Sequence, residues 1–286
     1  MTIQNTVKVA IIGSGTMASG IMQVLALTDH VERVSLIART EEKASQCINK
    51  CFSKIDSLLA KGKITESQKK SAESSVYSGT LESVRNADIV IEAVAENFEI
   101  KKAIFEDISN VVTPNTIVAS NTSSISITAL ASILDNPENV IGLHFFNPAP
   151  LMELVEVVPG YLTCEETLTK ALAFIDSIGK SAVRVSDSPG FIVNRMLIPM
   201  INEAVCILSE GNASVDSIDK AMKLGAHHPM GPLALSDLIG NDVTLSIMDT
   251  LFEETGDGKY RANPLLRKMV RAGHLGRKVK EGFYKY

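Results

Sequence analysis

The residues of this chain best suited to moving a proton are His144 and Glu156. His144 follows the apolar run Val140-Ile141-Gly142-Leu143, and Glu156 lies inside a second run, Leu154 to Val158, with Asn147-Pro148-Ala149-Pro150 between them. The two prolines must interrupt an extended segment, so the runs read as strands meeting at a turn. Such a turn can bring imidazole and carboxylate together. A glutamate among Val155, Val157 and Val158 carries a large desolvation cost unless it is neutral or partnered, and a histidine is the partner that makes chemical sense. The product is a histidine positioned as a general base. The same two residues could also form a buried pair with a structural role only, so the choice rests on the rest of the chain.

The elements that must position this pair alternate along the first two thirds of the sequence. Val7 to Ile12 is a short apolar strand followed at once by Gly13-Ser14-Gly15-Thr16-Met17-Ala18-Ser19-Gly20 and an apolar helix, Ile21 to Leu27. Further strands are expected at Val31–Ile37, near Val76, at Ile89–Ile91 with Ala93-Val94, at Ile117–Ala119 and at Ile141–Phe145, with helical stretches between. Strands alternating with helices imply a parallel, doubly wound sheet. Residues 41–74 form a helical insertion that a minimal βαβ unit does not need. Its lysines, Lys50, Lys54, Lys61, Lys63, Lys69 and Lys70, are a solvated face unless one or two of them meet an anionic ligand.

After about Val185 the strand pattern ends. The fold class is therefore α/β: an N-terminal doubly wound Rossmann domain over residues 1–186, and a smaller all-helical domain over 187–286. In the second, Phe191 to Ser209 reads as an apolar helix, and Ser214 caps a segment with Val215, Ile218 and Met222 on one face, closed by Gly225. Asn263-Pro264 opens another helix that Gly273 ends. With no low-complexity linker, the two domains are expected to pack closely around a cleft, and the apolar helices to support a homodimer.

The strand, glycine turn and helix at the N-terminus are the dinucleotide-binding arrangement. Gly13, Gly15, Thr16, Met17 and Ala18 let the backbone approach a pyrophosphate, and the helix directs its free N–H groups and positive dipole end at the phosphates. An acidic residue about 20 positions past the glycines would accept hydrogen bonds from the ribose 2′-OH. Here that position is Ala38, followed by Arg39 and Thr40, which offer a guanidinium and a hydroxyl to a 2′-phosphate. NADP(H) is therefore expected over NAD(H), with Glu41 and Glu42 close enough to blunt the preference.

Composition sets the outer limits. The chain has 286 residues, 45% hydrophobic and 21% charged, a formal net charge of −5 and a pI near 5.6, which argues against nucleic acid as the main partner. No apolar stretch is long enough to span a bilayer, and no basic-then-apolar leader opens the chain, so a cytoplasmic protein with no membrane partner is expected. Cys47, Cys51, Cys164 and Cys206 have no spacing suited to zinc, and scattered thiols suit a reducing compartment.

Further strings accompany His144 and Glu156: Ala119-Ser120-Asn121-Thr122-Ser123-Ser124, Pro189-Gly190-Phe191-Ile192-Val193-Asn194-Arg195, His228-Pro229-Met230-Gly231-Pro232, and a GRKxxxGFYxY pattern from Gly276 to Tyr286. With His144-Phe145-Phe146-Asn147-Pro148, the whole chain resembles the 3-hydroxyacyl-CoA dehydrogenases, and within them the bacterial 3-hydroxybutyryl-CoA group. The resemblance implies that His144 removes the 3-hydroxyl proton, that Glu156 orients it and stabilises its imidazolium, and that Ser123 and Asn194 hydrogen-bond the substrate. It implies that Glu96, Lys101 and Lys278 lie near the cofactor, and that coenzyme A is part of an acyl-CoA substrate, with Lys54 the candidate contact. The chain departs from the family pattern at Ala38 and Ala18, and Glu153 stands where a lysine is often found. A dehydrogenase of a free hydroxy acid or sugar acid is the alternative enzyme, and a cofactor-binding sensor without turnover is the alternative of another class.

Overall fold

A computed structural model describes residues 6–286, which divide into two compact units, one ending at Asp187 and the other running from Ser188 to Tyr286. The first unit contains strands β1 Val7–Ile12, β2 Val31–Ile37, β3 Val76–Gly79, β4 Ile89–Glu92, β5 Ile117–Ser120, β6 Val140–Phe145, β7 Leu154–Pro159 and β8 Ser181–Arg184. Its helices are α1 Thr16–Ala26, α2 Glu41–Ala60, α3 Glu66–Ser75, α4 Phe98–Ser109, α5 Ile127–Ala131 and α6 Glu165–Ser177. The strands form one sheet in the order β3-β2-β1-β4-β5-β6-β7-β8. The chain builds outward from β1 to β3 and then starts again on the other side with β4. That reversal opens a crevice beyond the carboxyl ends of β1 and β4, where such sheets bind ligands.

The expected parallel sheet holds for the first six strands and fails at β7, which pairs antiparallel with β6, while β8 returns parallel to β7. The physical reason is the short connection. A turn through Pro148 and Pro150 is too brief for a right-handed crossover, so β7 must come back beside β6 as a hairpin partner. The insertion at 41–74 is two helices, α2 capped by the Thr40 side chain and α3 opened by a reciprocal Thr65–Gln68 capping box.

Strand alternation sorts the sheet into two chemically different faces. Val9, Ile11, Ile89, Ile91, Ile117, Ala119, Ile141, Leu143, Val155 and Val157 face the core shared with α1, α2 and α6. The intervening positions place Glu92, Ser120, His144 and Glu156 on the opposite face. Gly142 keeps that face close to α5, since a Cβ there would come within 2.8 Å of Ile127 Cδ1 and 2.9 Å of Val158 Cβ.

The second unit contains α7 Val193–Ser209, α8 Val215–Gly225, α9 Pro232–Ile239, α10 Asn241–Thr255 and α11 Pro264–Arg271 around two apolar clusters. The helix expected from Phe191 starts at Val193, because Gly190 and Phe191 both adopt left-handed backbone, with φ of 70° and 50°, and turn the chain before it can wind. The caps expected at Ser214 and Asn263 are formed.

Candidate active site

In the β6–β7 register His144 stands directly opposite Glu156. Cross-strand partners project from the same face, so the two side chains meet without distortion, and His144 Nδ1 lies 2.7 Å from Glu156 Oε2. Both are buried, at 6% and 1% exposure. The ring is further flanked by Phe146, with ring centroids 4.4 Å apart. Asn121 Oδ1 accepts from the Phe145 N–H at 2.9 Å, taking the place of a strand carbonyl and tying the Asn121–Ser124 loop to the end of β6. The carboxylate thus engages Nδ1, the ring nitrogen nearer the backbone.

Ser123 follows the carboxyl end of β5 and is organised by Glu96. Glu96 Oε1 accepts from Thr122 Oγ1 at 2.7 Å, and from the N–H and hydroxyl groups of Ser123 and Ser124 at distances between 2.8 and 3.1 Å. Burial would raise the Glu96 pKa, but the Lys101 ammonium and the hydrogen bonds from Thr122 and Ser123 outweigh it and hold the carboxyl below its ordinary value. Lys101 is fully buried at the start of α4, its ammonium 2.8 and 2.9 Å from the two oxygens of Glu92 and 3.5 Å from Glu96. Glu92 also accepts from the Ser120 hydroxyl at 2.6 Å and the Val94 N–H at 2.6 Å. A buried ion pair is tolerated when the remaining acceptor sites are filled in this way.

Glu92, Ser120 and Asn121 carried no functional expectation from sequence. The signal for Glu92 was present, since a carboxylate closing Ile89-Val90-Ile91 is as anomalous as Glu156 among valines. Ser120 and Asn121 lie in the 119–124 string that carries the family resemblance, but no role was assigned to either.

At the other side of the β1–β4 crevice, Gly13 has a φ of 134°, and a Cβ there would lie 2.5 Å from Ala93 O. Gly13 is thus required by the fold itself. Gly15, the N-cap of α1, is different: its Cβ would meet no atom within 4 Å, so the space above it is open to a ligand. Thr16 and Met17 form the first turn of α1, which contains no acidic residue, and Ala18 is fully buried against the sheet. A pyrophosphate fits such a helix start. Arg39 is exposed after β2 and forms no ion pair among the described residues, and Thr40 Oγ1 accepts from the Lys43 N–H at 3.3 Å.

Lys54 is half-buried on α2 beside the buried stripe Cys47, Cys51 and Ile55, and makes no ion pair among the described residues. Lys69, by contrast, is taken by Asp56 at 2.6 Å. Burial, with Cys47 nearby, pushes the Cys51 thiol up to about 12. Two expected site residues belong to the second unit. Asn194 is in the first turn of α7, and Lys278 is paired with Asp242 at 2.5 Å. The structure therefore brings together His144 with Glu156, and Ser123 with Glu96 and Lys101, all within the first unit.

Comparison with known proteins extends over the whole chain. Residues 8–188 match the family model described as 3-hydroxyacyl-CoA dehydrogenase, NAD binding domain, and residues 190–286 match the 3-hydroxyacyl-CoA dehydrogenase, C-terminal domain. A 3-hydroxybutyryl-CoA dehydrogenase of Clostridioides difficile is 51% identical over 280 residues, covering 98% of this chain and 99% of the relative. The human mitochondrial hydroxyacyl-coenzyme A dehydrogenase is 39% identical over 290 residues, covering 97% and 90%. Among solved structures, the (S)-3-hydroxybutyryl-CoA dehydrogenase of Ralstonia eutropha superposes with a TM-score of 0.95 at 44% identity, covering 98% of this chain and 99% of the other.

Proposed function

The chain belongs to the 3-hydroxyacyl-CoA dehydrogenase family, and from that premise we propose that it moves hydride reversibly between a nicotinamide cofactor and C3 of a short-chain (S)-3-hydroxyacyl-CoA. Acetoacetyl-CoA and 3-hydroxybutyryl-CoA are the pair it interconverts. The observation that carries this reading is the buried His144–Glu156 pair, 2.7 Å apart at the end of β6. The bound nicotinamide supplies the hydride chemistry; the protein supplies position and charge. In the oxidative direction His144 Nε2 takes the proton of the 3-hydroxyl, and Glu156, already at Nδ1, offsets the charge that develops on the ring. Ser123, held by Glu96, and Asn194 hydrogen-bond the substrate oxygens, and Lys54 meets the anionic coenzyme A portion.

NADP(H) is the preferred cofactor in this reading, with NAD(H) accepted more weakly. Ala38 removes the carboxylate that would repel a 2′-phosphate, Arg39 is exposed and unclaimed by a salt bridge among the described residues, and Thr40 keeps its hydroxyl proton for donation. Gly13, Gly15, Thr16, Met17, Ala18, Glu96, Lys101 and Lys278 complete the cofactor site. The protein acts in the cytoplasm as a homodimer formed through the second unit.

One set of assays tests the reading: oxidation of NADPH and of NADH by acetoacetyl-CoA, with wild type and Glu156→Gln. NADPH should give the higher kcat/KM. Glu156→Gln should lower kcat about 10- to 100-fold while changing KM little, because the lost interaction forms with the developing imidazolium. A clear NADH preference overturns the cofactor assignment, and an unchanged kcat in Glu156→Gln overturns the assigned role.

A further inference from the structure

Lys180 stands between α6 and β8, far in sequence from the turn that joins β6 to β7, yet its side chain ends there. Its ammonium donates to Ala149 O at 2.8 Å and to Met152 O at 2.8 Å, with Pro150 O at 3.5 Å. The backbone on either side of it is fixed, since the Lys180 N–H donates to Ile175 O at 3.2 Å and the Ser181 N–H to Glu153 O at 2.8 Å. Within the turn, the Leu151 and Met152 N–H groups both donate to Pro148 O, at 2.9 and 3.1 Å. Those bonds engage Pro148 O, while the Ala149 and Met152 carbonyls converge on the Lys180 ammonium. Converging carbonyl dipoles repel one another unless a cation or several donors sit among them, and a lysine ammonium supplies both.

The turn held in this way touches three parts of the proposed site. It continues directly from Phe146, whose ring flanks His144. It continues on its other side into Glu153 and β7, which carries Glu156. It also packs on α1, where a Cβ on Gly20 would lie 3.2 Å from Ala149 Cβ and 3.5 Å from Pro150 Cδ. Glu153, which departs from the family pattern, bears on the same ammonium: burial lowers the Lys180 pKa and the Glu153 carboxylate opposes that shift.

We propose that Lys180 is a positioning residue for the proton-transfer pair, a tethered cation that fixes the 146–153 turn and with it the approach of the His144 ring to the substrate and of the turn to α1. The proposal rests on the reading of His144 and Glu156 given above. Lys180 acts through the turn and touches neither reacting atom. A small displacement of a catalytic group is enough to matter, since about 1 Å of misplacement costs on the order of 100-fold in rate.

The test is chemical rescue. Lys180→Ala removes atoms equivalent to n-propylammonium, which carries the same charge and three N–H donors. In Lys180→Ala, kcat for acetoacetyl-CoA reduction should fall about 10- to 100-fold with KM changed less than about twofold. Added n-propylammonium should restore a substantial part of kcat, and tetramethylammonium, which has charge but no donor, should restore none. The imidazole NMR chemical shifts of His144 and hydrogen exchange at the Leu151 and Met152 amides should move in the variant and return with n-propylammonium. These two readouts do not depend on turnover, so inactivity of the wild type toward acetoacetyl-CoA would sink the functional reading without deciding the role of Lys180. If Lys180→Ala does not fold, Lys180→Gln, whose amide is one atom shorter and uncharged but keeps two N–H donors, should show a kcat below wild type and faster Leu151 and Met152 exchange than wild type. A folded variant with wild-type kcat and unchanged His144 ring shifts overturns the proposal, as does lost activity that both ammonium ions restore equally.

Discussion

Glu96 shows how a single carboxylate joins two parts of the site. It stands in the loop after β4, beside the crevice where Gly13 meets Ala93, and it orders the hydroxyl and amide groups of Ser123 and Ser124. Burial alone would raise its pKa; Lys101 and the donors around it more than reverse that effect, so the folded state binds a proton there less readily than the unfolded chain. A depressed carboxylate contributes stability that is fully present above its unfolded pKa and is lost as the pH falls through the lower, folded value. Thermal melting should therefore weaken below pH 4.5 in the wild type, and more steeply than in Glu96→Gln, which has no proton to take up. Parallel acid profiles for the two proteins would show that Lys101 and the serines do not stabilise the ionised form. At this scale sequence was informative where chemistry violated its surroundings, as at Glu156 among valines. Glu96 and Ser123 were each named through the family resemblance, but that they bind each other was not legible, because a polar residue in a loop carries no mark of a partner far along the chain.

Among elements, the C-terminal segment of the second unit repays a physical reading. The GRKxxxGFYxY string from Gly276 to Tyr286 accounts for itself through one buried residue of α9. Asp237, 1% exposed, accepts from the N–H groups of Phe283 and Tyr284 at 2.9 Å each, from Asn241 Nδ2 at 3.0 Å and from the Tyr286 hydroxyl at 3.2 Å. Both glycines are there because the backbone passes so close: a Cβ on Gly282 would sit 1.9 Å from Asp237 Oδ1, and one on Gly276 would sit 2.3 Å from Asp237 O. Asp237→Ala would strand several donors at once, for a loss of about 2–4 kcal/mol. Chemical denaturation should register that loss, and a change under about 0.5 kcal/mol, the usual range for an uninvolved surface site, would remove Asp237 from this role. Strands β1 to β7 were legible from apolar runs, and helix caps from Ser214, Asn263 and Pro264. The reversal at β7 was not, since apolar alternation looks the same in a strand running either way. β8 escaped notice because its four residues, Ser181 to Arg184, are mostly exposed and lack an apolar run.

For the molecule as a whole, the two family models together span residues 8–188 and 190–286, matching the point at which the chain divides into two units. Each unit has its own apolar core, and no helix among the described residues is long and apolar enough to cross a membrane. The homodimer proposed through the second unit predicts a mass near twice 30.8 kDa by light scattering, and a mass of one chain would reject it.

The division of the sheet into an apolar face and a polar one has a practical side. Sliding β6 by one residue against its neighbours would turn Leu143 and Phe145 toward the polar face and drive the imidazole into hydrocarbon. Such a slip would forfeit the core packing of β6 and the pairing of His144 with Glu156 in the same stroke. Turnover per milligram can then serve as a gauge of how much of a preparation has threaded this sheet correctly.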